Sequence, residues 1–306
     1  GSDHHIAGVV GSLVSTTATC TLSGCTNEGN ITYANGTESG GGSMASNRYC
    51  YTAGIVGHHN SKGEIINCTN SGIITNKLGT SATTGIRIGG IVGNQMGSQT
   101  SNNCYNKGNI TFTGSTKGKV YVGGHIAYHN ATLAMTDSGN TGNIFVGTDA
   151  KSASTSILYL GGVAGAQTVD KACTINGDIV NTGDISVINS TITDDKNSYV
   201  GGIFGLPVYS VDGATCYSKL KVAGLSNVGL ILGIQRDPAE KGIKATNCKI
   251  GGATFAYNEE EDEYVEKALT ASDFHKYIYA NGDNTDWTGT DNYDGCSFLS
   301  EKPTIQ

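Results

Sequence analysis

Histidines that follow a recurring Gly-Gly pair are the residues best suited to bind a metal ion. His125 and His129 have the spacing of a zinc-protease motif, but the glutamate that follows the first histidine in that motif is missing. His59 and His129 hold equivalent positions in different copies of the segment, so stacked copies would separate them by two strand spacings, about 9–10 Å. One metal ion cannot bridge that distance. We therefore predict no metal centre and no cofactor, and instead a polar ladder of His59, Gln95, His129 and Gln167.

Carboxylates are the next candidates, because lyases and hydrolases of polysaccharides use acids together with Lys or Arg in one groove. The densest set within the repeats is Asp170, Asp178 and Asp184. Asp178 and Asp184 stand beside glycines, where aspartate commonly forms turns. We predict that the chain is not an enzyme. A carbohydrate-active enzyme remains the alternative, and three or more charged side chains converging in one groove would favour it.

Two acidic stretches lie near the C-terminus. The run Glu259–Glu263 is typical of a solvated loop. Further aspartates offer oxygen ligands for Ca²⁺ but lack the spacing of an EF-hand loop. We therefore consider them a candidate calcium site that matches no known motif. The four residues are Asp283, Asp286, Asp291 and Asp294.

Four tyrosines are the candidate ligand-binding residues: Tyr33, Tyr49, Tyr51 and Tyr121. They stand near segments of variable length that are rich in Ser, Thr, Gly and Asn. Tyrosine among small polar residues suits the recognition of sugars or proteins, because the ring gives rigid contact area and the hydroxyl gives a hydrogen bond. The same rings can instead brace loops against a sheet, and both interpretations stay open.

The elements that must position these residues are copies of one hexapeptide, Ile88–Gly93, with the pattern apolar–small–Gly–apolar–apolar–small. Successive copies follow at steps of 46, 36, 34, 38 and 40 residues, and a decayed copy lies around Val228–Gly233. A motif at such a period indicates a solenoid. The other clear copies are Ile6–Gly11, Thr52–Gly57, Val122–Ala127, Leu160–Gly165 and Val200–Gly205.

Each repeat has a second recurring half that contains Cys, Asn and Gly in this order. Its clearest forms are Cys25–Ile31, Cys68–Ile74 and Cys104–Ile110. The Asn and the Gly two residues later predict a tight corner. Since the cysteines occupy one repeat position and total nine, we expect a column of buried free thiols rather than disulfides. Weaker equivalents are Cys173, Cys216 and Cys248.

Together these patterns predict an all-β protein, a right-handed parallel β-helix of about six coils with three short strands in each coil. Residues 1–252 form the solenoid and residues 253–306 a C-terminal cap. Within the cap, Thr270–Asp273 has the spacing of a capping box, and Leu269, Phe274, Tyr277 and Ile278 fall on one face of a short helix.

The combined pattern of both halves, cleanest in Ile55–Ile74 and Ile91–Ile110, resembles the GLUG repeat. The resemblance covers about residues 6–233. It implies a secreted or surface-attached bacterial protein, with an adhesin-like scaffold that binds host glycans or extracellular matrix proteins. Extracellular or cell-surface localisation, as an outer-membrane lipoprotein, is the corresponding expectation, and a passive stalk is a further alternative.

Composition narrows the classes of partner. The net charge is −7 and only three arginines are present, Arg48, Arg87 and Arg236, so the basic stripe of a nucleic-acid binder is missing. No apolar run reaches the roughly 20 residues of a membrane span. We expect a monomer, and we expect the natural gene to encode an export signal of the lipoprotein type upstream.

Overall fold

Strands from successive copies of the repeat pair in parallel, so the chain coils into a β-helix, as predicted. A computed structural model describes residues 3–35, 49–78, 85–114, 116–147, 154–167, 173–188, 191–207, 210–234, 243–258, 260–280 and 293–305. Strand is the main secondary structure of these residues, and helix is limited to two short 3₁₀ turns.

The strands, in chain order, have the following bounds. The first three coils contain β1 (His4–Ala7), β2 (Val10–Ser23), β3 (Thr26–Asn27), β4 (Ile31–Asn35), β5 (Tyr49–Ala53), β6 (Val56–Ile66), β7 (Thr69–Asn70), β8 (Ile74–Leu78), β9 (Gly85–Gly89), β10 (Val92–Gln95), β11 (Gln99–Asn102), β12 (Tyr105–Asn106) and β13 (Ile110–Thr113). The next coils contain β14 (Thr116–Gly123), β15 (Ile126–His129), β16 (Leu133–Asn140), β17 (Ile144–Gly147), β18 (Ser154–Gly161), β19 (Ala164–Gln167), β20 (Cys173–Asn181), β21 (Ile185–Ile188), β22 (Thr191–Ile192), β23 (Tyr199–Gly201) and β24 (Phe204–Leu206). The last part contains β25 (Val211–Asp212), β26 (Thr215–Val222), β27 (Val228–Gly229), β28 (Ala245–Thr246), β29 (Lys249–Asn258), β30 (Glu263–Ala268) and β31 (Ser297–Phe298).

One sheet contains the strands that lead into the Gly-Gly pairs, in the order β1-β5-β9-β14-β18-β23-β27. The decayed copy supplies the last of them, since Val228 and Gly229 pair with Val200 and Gly201. The Gly-Gly pair lies at a bend between two strands, for example between β9 and β10, rather than inside one strand as predicted. The coil of β9 to β13 therefore has five strands rather than the three that the sequence predicts.

The predicted inward ladder is confirmed. Backbone hydrogen bonds link Ile55 to Ile91, Ile91 to His125, His125 to Val163 and Val163 to Ile203, with N···O distances of 2.9–3.3 Å. All five side chains are fully buried. His125, the odd member, is accommodated because its Nε2 lies 2.7 Å from the Ser101 hydroxyl.

A second buried ladder joins the two halves of the repeat. It consists of Asn27, Asn70, Asn106, Asn140 and Asn181. The Nδ2 of each of the first four donates to the Oδ1 of the next asparagine at 2.7–2.9 Å, and all five donate to the carbonyl of the glycine two residues later. The second glycine of the Gly-Gly pair packs against this ladder, and a Cβ at Gly90 would clash with the Asn106 side chain. The close approach explains why both motifs recur together.

The cysteine column is confirmed in its main members. Cys68 and Cys104 are fully buried, Cys248 lies further along the same column, and the cysteines whose side chains are described are free thiols. The interpretation of Cys216 was wrong, because Cys216 pairs with Asn181 and takes the asparagine position of its coil. The backbone of Cys173 pairs with Leu133, away from the column.

The cap differs from the predicted amphipathic helix. A four-residue 3₁₀ turn, Phe274–Tyr277, replaces it, and a second 3₁₀ turn spans Tyr293–Gly295. Only half of the capping box forms, because the Asp273 carboxylate accepts the Thr270 N–H at 2.8 Å while the Thr270 hydroxyl contacts Ser272. Helix propagation would compete with the backbone bonds that Tyr277 and Ile278 accept from Leu230, Ile231 and Leu232 of the last coil. The cap therefore adds a rung to the solenoid.

The expected boundary at residue 252 falls inside a strand. β29 runs from Lys249 to Asn258, pairing first with β26 of the last coil and then in antiparallel fashion with β30. This hairpin carries residues 260–263 of the acidic run, which are exposed as predicted.

Candidate functional site

Three of the four candidate tyrosines come together, whereas the fourth does not. Tyr49, Tyr51 and Tyr121 lie on the face of the first sheet that is turned away from the main core. Tyr33 packs against the main core at the end formed by the first coil, where burial and the neighbouring Cys50 raise its pKa to about 12. Tyr33 is therefore separate from the other three.

Strand alternation produces the arrangement. In β9, Ile86 and Ile88 point into the main core, so Arg87 between them points to the opposite face. Parallel register repeats this on every coil and builds one column, called here the tyrosine–arginine ladder. Its members are His5, Tyr51, Arg87, Tyr121, Tyr159 and Tyr199.

Arg87 lies at the centre of the ladder, sandwiched between aromatic rings. Its Cζ atom is 3.7 Å from the ring centroid of Tyr128 and 4.1 Å from that of Tyr49. The rings of Tyr51 and Tyr121 lie at 5.4 and 5.2 Å. A cation over several aromatic faces is stabilised by their quadrupoles, and more strongly where water is excluded.

Polar partners border the sandwich on one side. Arg87 Nη1 donates a short hydrogen bond to Asn94 Oδ1, and Asn94 Nδ2 lies 2.7 Å from His58 Nδ1. His58 stacks on Tyr51 and contacts His5, with ring centroids 5.3 and 4.8 Å apart. Burial, His5 and Arg87 lower the pKa of His58 to about 4, and burial likewise lowers the pKa of His5. The surroundings of Arg87 thus disfavour further positive charge.

Burial divides the ladder into inner and outer parts. Tyr51 and Tyr121 are 5% and 4% exposed, so they support the surface rather than present it. The ladder members His5 and Tyr199 are partly exposed, and so are the neighbouring side chains of Tyr49 and His58.

A second region is a cleft of about 430 Å³ on another outer face of the solenoid, called here the outer cleft. Its floor follows the paired column Tyr105, Gly139, Val180, Thr215 and Lys249, which spans four coil steps or about 19 Å. Asp137 and Asp178 lie on its rim, and the Asp178 N–H donates to Asp137 Oδ1 at 3.1 Å. Burial and these two carboxylates raise the pKa of Tyr105.

The chain's own C-terminal segment forms the other wall of the outer cleft. Leu299, Pro303, Thr304 and Ile305 line it. Leu299 donates its N–H to Ile250, and residues 300–305 make no hydrogen bond to any other described residue. The outer cleft therefore lies between the coils and the chain's own C-terminal segment.

Sequence reasoning missed most of the outer cleft. The sequence singles out Asp178 as one of a set of three carboxylates and as a turn residue, without linking it to Tyr105, which is not among the candidate residues. The available signal is a substitution in the repeat, since Tyr105 replaces the threonines Thr26 and Thr69 of the first two coils.

The predicted polar ladder of His59, Gln95, His129 and Gln167 is confirmed by strand register and burial. Among the described residues, no group of three or more His, Cys, Asp or Glu side chains is placed to hold a metal ion. Three of the calcium candidates, Asp283, Asp286 and Asp291, lie outside the described residues, as does Asp170. Asp294, the fourth, lies in the second 3₁₀ turn. None of the described helices is long and apolar enough to cross a membrane.

Comparisons with known proteins identify no relative: no family model, no curated protein and no solved structure matches the chain.

Proposed function

We propose that the chain is an adhesin-like scaffold that is secreted or held at a bacterial cell surface, and that it binds glycans in the outer cleft without altering them. The observation that carries this proposal is the outer cleft itself, an elongated groove in which one tyrosine, two carboxylates and a lysine face the same space. The rigid stack of coils supports this groove along its whole length.

The residue types suit a saccharide. The half-buried ring of Tyr105 offers an apolar surface for the C–H face of a sugar, and its hydroxyl offers a hydrogen bond. Asp137 and Asp178 can accept hydrogen bonds from sugar hydroxyls, and Lys249 can donate them. Because the groove crosses five coils, several sugar units can contribute modest contacts that add up.

A carbohydrate-active enzyme is the second candidate, because three charged side chains converge in the same groove. Glycosidase chemistry, however, needs a general acid whose carboxyl group is shielded from water. Asp137 and Asp178 are both exposed. This exposure favours binding over catalysis.

Retention on immobilised mucin glycans tests the proposal. The full chain should be retained, and Tyr105→Thr should weaken retention at least tenfold while preserving the melting temperature, since threonine holds this position in other coils. Tyr257→Ala, on the exposed hairpin, is the matched control and should bind as the unaltered chain does.

Different outcomes separate the alternatives. New reducing ends or unsaturated sugars in the eluate would establish the enzyme. If no glycan or matrix protein retained the full chain, the passive stalk would be the remaining alternative. Retention that Tyr105→Thr does not change would place the binding site elsewhere.

A further inference from the structure

Arg87 carries a buried charge that no acid of the described residues pairs with. Its side chain is 7% exposed, and no carboxylate of a described residue lies within salt-bridge distance of it. A buried ion normally requires an opposite charge or full hydrogen bonding, because removal from water is costly. Aromatic faces and one amide oxygen compensate the guanidinium only in part.

The geometry leaves one direction of approach. The rings of Tyr128 and Tyr49 pack against the guanidinium, with centroids 3.7 and 4.1 Å from Cζ, and Asn94 Oδ1 accepts a hydrogen bond from Nη1. The buried Nε has no hydrogen-bond partner among the described residues. The Nε edge is therefore where the guanidinium can pair with an additional acceptor.

Asp3, an acid that contacts two of the neighbouring tyrosines, is already engaged. Asp3 Oδ1 accepts the Tyr49 N–H, and Asp3 Oδ2 accepts the Tyr51 hydroxyl, both at 3.0 Å. His5 and His58 add donor-capable rings on the same side. Tyr49, which packs against Arg87, and His58, which lies beside Asn94, are themselves partly exposed.

We infer that the Nε edge of Arg87 binds the carboxylate of an acidic sugar, with Tyr49 and His58 flanking the entrance. A guanidinium edge matches the planar geometry of a carboxylate, and the exclusion of water strengthens the pairing. The sugar ring then lies outward, against partly exposed aromatic side chains. This site is separate from the outer cleft, so the failure of either assignment leaves the other standing.

The direct test is to titrate the full chain with glucuronate while the NMR signal of the Arg87 side-chain Nε–H is monitored. Glucuronate should shift this signal in a saturable manner, and glucose at the same concentrations should leave it in place. A sulfate titration tests the charge alone, and sulfate should bind at least fivefold more weakly than glucuronate.

Asn94→Asp is the decisive variant, because it places an internal carboxylate against the guanidinium. It should weaken glucuronate binding at least tenfold, with a melting temperature equal to or above that of the unaltered chain. Asn109→Asp, an exposed site on another corner, adds the same charge and should leave binding unchanged.

Three results would overturn the assignment. Equal binding of glucose and glucuronate would show that the carboxylate is not recognised. Tighter binding of sulfate than of glucuronate would show that the site prefers a nonplanar anion. Full glucuronate affinity in Asn94→Asp would exclude Arg87 as the recognising group.

Discussion

The asparagine ladder shows how single residues hold this solenoid together. The Asn106 side chain donates to Gly108 and Asn140 and accepts from Asn70, all at 2.7 Å and away from water. Buried amides in such a network strengthen one another, and an unmade bond there is costly.

Asn106→Ala should therefore lower the free energy of unfolding by about 1–3 kcal/mol, because it breaks the ladder in its middle. Urea unfolding followed by circular dichroism measures the change. Asn60→Ala, at an exposed position of the adjacent coil, should stay within about 0.5 kcal/mol of the unaltered chain. Equal effects of the two variants would contradict the structural role of the ladder.

Buried histidines make stability depend on pH. Burial lowers the pKa of His125 to about 3 and that of His129 to about 4, from an ordinary value of 6.5. Below pH 6.5 the unfolded chain binds more protons than the folded chain, so stability is complete above pH 6.5 and falls as the pH drops toward 4. Each of these two histidines contributes about 1.4 kcal/mol per pH unit in that window.

His129→Gln tests this origin, because glutamine occupies the neighbouring rungs of the same ladder. Between pH 6.5 and 5.0 the variant should lose less stability than the unaltered chain, by about 2 kcal/mol. Above pH 7 the two should depend equally little on pH. An equal loss of stability in the variant and the unaltered chain at every pH would show that His129 does not titrate in this way.

At the scale of elements, the spacing of the repeats was enough to predict the inward ladder. Ile55, Ile91 and His125 follow their glycines at the same distance, so register follows from counting. The tyrosine–arginine ladder was predictable by the same means, since Tyr51, Arg87 and Tyr121 each precede the second glycine by three residues.

The outer cleft and the cap required tertiary information. The repeat pattern ends before residue 299, so nothing in it places Pro303 and Ile305 against coils far earlier in the chain. Likewise, the spacing of Phe274 and Ile278 is compatible with an α-helix. The segment forms a 3₁₀ turn instead, because its backbone hydrogen-bonds to the last coil.

Truncation tests the role of the cap. A chain that ends at Leu269 loses the segment that bonds to Leu230 and Ile231 and exposes the last coil, so it should self-associate through unpaired strands. Light scattering after size exclusion measures this. A chain that ends at Ser300 keeps the cap, and its association state should equal that of the full chain. Unchanged mass for the shorter truncation would contradict the capping role.

At the scale of the whole molecule, the coils create long outer faces on which side chains from distant parts of the sequence meet. Tyr105, Asp178 and Lys249 come from three different coils and line one groove. A solenoid suits this use because each coil contacts mainly its neighbours, so loops and outer residues can vary while the inner ladders keep the fold.

The proposed glycan binding in the outer cleft is tested most directly by hydrogen exchange of the full chain with and without a retained glycan. Added glycan should slow exchange at the amides around Tyr105, around Asp178 and in residues 299–305. Exchange in the hairpin of β29 and β30 should not change. Slower exchange confined to other faces, or no change at the outer cleft with glycan bound, would contradict the account.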